Sequence, residues 1–381
     1  MEITLKGMTW DHPRGYQPLI ACSDEYEKQH GVRITWDKRS LKAFGDQPIN
    51  ELTAEYDMII IDHPHVGIAA ATGALIPLDD YLPEDTLTTL AQQSAGPSHQ
   101  SYAYDGHQWG LAVDAAMQTA VYRPDLFDER DLPQSWTDFL TLLAAYKDHE
   151  RYIAMPLAPT DCMCSFISLC ASSGEPIGQN ANLISDETGL AGLNTLKAIK
   201  DAGHPNCLEW NPIHMLDHMS THDDVVYCPL TFCYTNYSRK GYQPHLLTFT
   251  NIPGVHGSIL GGTGFAVSSS SAHVEAAADF GAWLCGADTQ RSLYVQQGGQ
   301  PGNIIAWQDD NANALTNNFF ANTLSTLEQS EIRPRHHGFT EFQEQAGVII
   351  HDFLRKDTRP ADCLHDLRTR YAEYAPREDA S

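Results

Sequence analysis

The sequence predicts an α/β protein built as two lobes, and three observations carry that expectation. The first sixty residues alternate strand, helix, strand, helix, strand. The run Asp57-Met58-Ile59-Ile60-Ile61-Asp62 is apolar at every inner position, as a strand of a parallel sheet covered on both faces must be. Past Gly110 the alternation resumes, and a chain of 381 residues is long enough for about two or three lobes.

Taken in order, Ile3 to Trp10 is a strand. Tyr16 to His30 sets Leu19, Ile20, Cys22 and Tyr26 against Asp24, Glu25, Glu27 and Lys28, the pattern of an amphipathic helix. Gly31 to Trp36 is the next strand, a polar helix lies near Pro48–Tyr56, and Asp57–Asp62 closes a unit with right-handed crossovers. Leu111 to Tyr122 reads as extended chain, Trp136–Tyr146 as a helix, and Met155–Asp161 as a strand ending in a polar turn. Helices are expected around Met163–Ser172 and Gly189–Ala202, with a strand over Asp224–Pro229 between them and the return. A glycine-broken return strand covers Gly257–Ser268, followed by helices at His273–Leu284, Asp288–Val295, Glu341–Leu354 and Ala361–Tyr371.

Composition narrows the partners. With 49 acidic and 24 basic side chains, the net charge of −25 repels phosphate backbones and anionic lipid, so neither nucleic acid nor a membrane surface is expected. No stretch approaches the roughly 20 apolar residues of a membrane span. The first ten residues enter a strand without a basic segment and apolar core of the kind a secretion signal has. Nine cysteines, an odd number without framework spacing, point to free thiols. Together these lead to a cytoplasmic expectation, or an exported protein in its mature form.

The order of the later motifs carries a resemblance. Gly261-Gly262-Thr263-Gly264-Phe265-Ala266-Val267-Ser268, the helix Glu275–Leu284, Gln290 and the turn Gly298–Gly302 follow one another as in the extracellular solute-binding proteins of sugar-type ABC transporters, the maltose-binding-protein class. The strand ending in Trp10-Asp11, the strand ending at Asp62 and the stretch Gly73–Asp80 are similar to the same family. The resemblance implies a type II periplasmic-binding-protein fold with a ligand cleft between its lobes. Lobe one would be 1–113 with 258–312, and lobe two 114–257 with 313–381. The implied function is closure on a small polar ligand, a sugar, polyol or small organic acid, by a monomer that serves an ABC permease if exported.

Ligands of open α/β sheets sit beyond the carboxyl ends of the strands. Twice in lobe one a strand ends in Asp-His-Pro, at Asp11-His12-Pro13 and Asp62-His63-Pro64, where proline stops the strand and the two polar residues fall at the rim. The same residues would otherwise cap the following helices. Trp10, Asp11, His12, Asp62, His63 and His65 are therefore candidate ligand contacts. Arg14 is placed to fork onto an anionic group or to pair with an acid. Trp10 and Trp109 are candidate stacking platforms, or core. Asp114 lies where the chain crosses between lobes, Thr160 and Asp161 at the equivalent turn of lobe two, and Tyr234 and Asn236 at another of its rims. Gly262 and Thr263 belong to a glycine run that lets backbone approach a ligand; Gln300 sits in the turn beyond it.

No cofactor is expected, since dinucleotide, P-loop and hydrolase signatures are lacking. No metal is expected either: Cys162-Met163-Cys164 has neither the spacing nor the four ligands of a zinc site. Eighteen histidines keep an alternative open, a cytoplasmic enzyme on the same scaffold performing elimination, isomerisation or proton abstraction with His12, His63 and Asp11 as acid–base groups.

Overall fold

The computed structural model describes residues 3–40, 43, 49–147, 149–178 and 183–375. Strand β1 (Ile3–Trp10) pairs in parallel with β2 (Val32–Arg39) and β3 (Met58–Ile61). Helix α1 (Pro13–His30) crosses between the first two strands. His12 caps it, with Nδ1 accepting the Arg14 N–H, Pro13 opens its first turn, and Gly31 ends it at φ 71°. Its buried stripe is Leu19, Cys22 and Tyr26, as the periodicity predicts. The predicted polar helix is a short one, Ile49–Thr53; Pro48 lies outside the described residues, as do Pro376–Ser381.

The all-apolar β3 is buried throughout and is covered on both faces. Met58 and Ile60 join one apolar cluster with Leu5, Leu19, Phe265 and Phe280; Ile59 and Ile61 join another with Met8, Val66 and Leu75. Each such side chain contributes about 1.5–3 kcal/mol on burial.

A small hairpin, β4 (Ala103–Tyr104) with β5 (His107–Gln108), precedes β6 (Leu111–Tyr122), which is buried along its whole length. Its first half pairs antiparallel with the return strand β10 (Leu260–Val267), and β10 pairs antiparallel with β3. Its second half pairs with β8 (Val225–Phe232) and β9 (Thr248–Thr250), while a short β7 (Tyr152–Ile153) lies parallel to β8. The order is β2-β1-β3-β10-β6-β8-β7. Leu111 and Val113 belong to the first core, Ala115 through Tyr122 largely to the second, so one strand passes from lobe to lobe. Ala306, Trp307 and Ala312 pack in the second core, on Phe319 and Phe320, not in the first as the implied lobe boundary at 312 has it.

One expected strand is absent. Beyond the short β7, Met155–Asp161 does not form a strand; helix α2 (Pro159–Ser172) begins there, because Pro159 suits a first helical turn. The remaining helices used below are α3 (Phe319–Glu328), α4 (Phe339–Lys356) and α5 (Pro360–Tyr374). No helix among the described residues is long and apolar enough to cross a membrane.

Gly262 has a specific reason to be glycine. It sits at φ 92° beside a register shift in the β6–β10 pairing, and an added Cβ would lie 2.3 Å from the Asp114 carbonyl oxygen. Gly262→Val is expected to lower stability by about 2 kcal/mol or more, read from its urea midpoint; an unchanged midpoint would contradict the strain.

Candidate functional site

The strand registers bring four separate stretches to one edge. Gly264 lies opposite Ile61 and Thr263 opposite Asp114, so Asp62, Thr263 and Asp114 stand at nearly one level, with Asp11 and His12 following the parallel β1. On the second lobe, the chain leaving β8 supplies Tyr234 and Asn236, and the first turn of α2 supplies Thr160 and Asp161.

Two guanidiniums bind this edge together, and both are spoken for. Arg14 donates from Nε to Asp114 Oδ2 at 2.8 Å and from Nη2 to Oδ1, and its Nη1 reaches the Cys233 carbonyl at 2.7 Å, joining α1, the crossing strand and lobe two. Its guanidinium lies 4.7 Å from the Tyr234 ring centre, whose other neighbour is the His12 ring at 4.9 Å. Burial pushes the Asp114 carboxyl above its ordinary range against the pull of Arg14. Arg333, just before α4, donates from Nη2 to both oxygens of Asp62 at 2.7 Å and from Nη1 to Gln343 at 3.2 Å. Burial alone would raise Asp62, but Arg333 and His63 hold it below the usual carboxylate range.

The histidines are neutral. Burial and the Arg14 charge push His12 down to about 3, and burial with Arg333 pushes His63 down to about 4. Burial lowers His65 as well, whose Nδ1 lies 3.2 Å from the Asp62 carbonyl. His63 is fully buried; its Nδ1 lies 3.3 Å from Asp62 Oδ1, and its Nε2 has no hydrogen-bond partner among the described residues.

Other buried polar atoms at this boundary also lack a hydrogen-bond partner among the described residues. They are the Tyr102 hydroxyl, Thr263 Oγ1, Asn236 Oδ1 and Arg333 Nε. The Tyr102 phenol is raised by burial and by Asp62 and Asp114, and its ring packs where a side chain on Gly264 would stand. Asn236 spends its amide N–H on the Gly298 carbonyl, at 3.4 Å. Asp161 is 7% exposed, with no ion pair among the described residues and its own backbone N–H as a hydrogen-bond donor; burial raises its carboxyl to about 8. Tyr234, raised to about 12 chiefly by burial, feels Arg14, Asp114 and Asp161 together.

Several predicted contacts sit elsewhere. Asp11 is exposed and paired with Lys38 at 2.7 Å, because the proline turn swings it outward while His12 takes the capping position. Trp10 is 3% exposed in the lobe-one core, with Gly15 making room for its ring. Trp109 is also core, and its Nε1 donates to the Tyr104 carbonyl at 2.9 Å. Thr160 is exposed. Gln300 braces the hinge, donating to the Ala115 carbonyl at 2.7 Å and accepting from the Thr235 N–H. Arg14 faces an acid of its own chain, with Nε, Nη1 and Nη2 each in a hydrogen bond to protein.

Tyr102 and Arg333 were missed by sequence reading. The Arg333-Pro334-Arg335 doublet, set in an acid-rich chain, was the available signal; Tyr102 had none. Arg335 donates to the Gln100 carbonyl at 2.9 Å and its own carbonyl packs on Gly67, so this segment spans the lobes.

Cys162 and Cys164 are buried in α2, with Cys162 Sγ donating to the Leu157 carbonyl. Converging metal-ligand atoms among the described residues occur at His204, His218 and Asp224, before β8 and therefore at the opposite edge. His204 Nδ1 accepts the Asn206 N–H, so its Nε2 carries the proton and donates to Asp224; His218 Nε2 meets the other oxygen at 2.8 Å. That is a hydrogen-bonded bracket.

Comparison with known structures places this architecture. An ABC-transporter solute-binding protein of Thermotoga lettingae, solved with α-D-tagatose, superposes at a TM-score of 0.83 with 14% identity over 98% of this chain and 100% of its own. One from Agrobacterium radiobacter, in complex with ribitol, gives 0.81 with 18% identity over 97% and 98%. Maltose-bound MalE3 of T. maritima gives 0.81 with 14% identity over 98% and 99%. These likenesses speak to the two-lobed fold, and they lend nothing to the enzyme alternative. Residues 21–317 match the sequence model of the bacterial extracellular solute-binding proteins, and the chain belongs to that family.

Proposed function

We propose that this protein holds a small polyhydroxylated solute between its lobes and delivers it to an ABC permease outside the cytoplasm. The observation that carries the reading is the set of buried polar atoms without a partner among the described residues at the lobe boundary: His63 Nε2, the Tyr102 hydroxyl, Thr263 Oγ1 and Asn236 Oδ1. A buried polar group without a partner costs about 1–3 kcal/mol. Four such groups from four stretches of chain at one edge are best explained by a guest whose hydroxyls satisfy them on closure. The family description, an extracellular one, supports the exported alternative over the cytoplasmic expectation. The structures solved with tagatose and ribitol support the solute class. Chemistry has weaker support: Asp11 is at the surface, and His12 spends Nδ1 on capping α1.

The test is a thermal-shift panel of hexoses, pentoses, alditols and small organic acids, followed by calorimetry on each hit. Sugars or alditols should raise the melting temperature and acids should not. Asn236→Ala and Thr263→Val should each weaken the hit about tenfold, the equivalent of one lost hydrogen bond at about 1.4 kcal/mol. A hit indifferent to both substitutions would place the solute elsewhere.

A further inference from the structure

The charge count at the lobe boundary narrows the solute, an inference that rests on the binding reading just given. Three carboxylates gather there, Asp62, Asp114 and Asp161, against two guanidiniums. Arg14 neutralises Asp114 and Arg333 neutralises Asp62, each by two contacts. The histidines nearby, His12 and His63, are held neutral by burial. Asp161 is left over. It is more than nine-tenths buried and pairs with no base among the described residues. Asn236 Oδ1, two residues along the chain from the Tyr234 that feels Asp161, is a second buried acceptor without a donor among the described residues.

A solute bearing only hydroxyls can hydrogen-bond to these groups but gives the Asp161 carboxyl no partner charge against which to ionise. An acidic solute would meet guanidiniums already paired with Asp62 and Asp114 and an acid that it can only hold protonated. A protonated amine brings donors and a positive charge, and in a site of low effective dielectric that match is worth more than it is in water. We propose that Asp161 seats an ammonium group, so that the preferred guest is a hydroxylated amine, an amino sugar or amino-alditol, and not a neutral sugar. Asn236 Oδ1 would take a further N–H or O–H of the same guest.

The titratable groups that feel Asp161 are Tyr234, Cys162 and Cys164. All three are raised, Tyr234 and Cys164 to about 12, so none of them changes charge near neutrality. Burial keeps the Asp161 carboxyl mostly protonated at pH 7. An arriving ammonium stabilises the carboxylate and expels that proton to solvent, whereas a neutral sugar leaves it in place.

Isothermal titration calorimetry with matched pairs tests this: glucosamine against glucose, galactosamine against galactose, and 1-amino-1-deoxysorbitol against sorbitol. Each is run at pH 7 in two buffers of different ionisation enthalpy. At least one amine should bind tenfold or more tighter than its neutral partner and release close to one proton per site. Asp161→Asn should abolish both the preference and the release. Neutral members binding as well as their amines, amine binding without proton release, or an unchanged preference in Asp161→Asn would each overturn the inference and leave the sugar-binding reading standing. Failure of every member of every pair to bind would overturn both.

Discussion

Replacing Arg14 by Met is expected to lower the unfolding free energy by about 3–5 kcal/mol. The side chain is almost fully buried and so is its partner, with Asp114 1% exposed. Removing the guanidinium leaves a desolvated carboxylate on the crossing strand and strips the Cys233 carbonyl of its donor. Removing both charges is a different matter, since a buried ion pair exchanged for packed apolar groups is often neutral. Arg14→Met with Asp114→Leu should therefore recover most of the loss. Arg14→Lys should recover little, because an ammonium cannot fork onto both carboxylate oxygens and the carbonyl together. Urea denaturation of the four proteins at pH 7 checks this; a loss below about 1 kcal/mol in the single variant would mean that water reaches Asp114.

Asp161→Asn should stabilise the protein, increasingly as pH rises. The folded carboxyl is raised from 3.8 to about 8 by burial, so between those values the native state holds a proton that the unfolded chain has lost. Stability carried by that proton is complete below the unfolded pKa and is lost progressively as pH climbs through the folded one. At about 1.4 kcal/mol per unit, the difference approaches roughly 3–5 kcal/mol at pH 8. The two proteins should unfold alike near pH 4 and diverge steadily above it. A constant gap across that range would mean that the Asp161 carboxyl titrates normally. The same unpaired acid that weakens the free protein is the group proposed to seat the guest, a trade of stability for function at the site.

Much of the fold was legible because its signals are local. The alternation of strand and helix, the doubly apolar Met58–Ile61, the capping sequence before α1 and the glycine-broken return strand each lie within one turn or one strand of the chain. Met155–Asp161 failed for the same reason: an apolar run with two prolines suits a strand as well as the entry to α2, and neighbouring segments decide between them.

The candidate site was legible as an edge and not as a set of contacts. Strand ends drew attention to His12, Asp62, His63, Asp114, Asp161, Tyr234 and Asn236; the registers level Asp62 with Thr263 and Asp114, and say nothing of the lobe-two residues. Whether Trp10 and Trp109 stack on a ligand or fill a core depends on what surrounds them, and both turned out to be core.

What the sequence determined by itself was the α/β class, the family and the order in which polar residues leave the sheet, because period, proline and glycine act on nearest neighbours. What only the tertiary structure decided was pairing. Arg14 finds Asp114 a hundred positions away, Arg333 finds Asp62 across 271, and Asp161 finds no base among the described residues. Charge compensation depends on distance in space and on the exclusion of water, and neither is written along the chain.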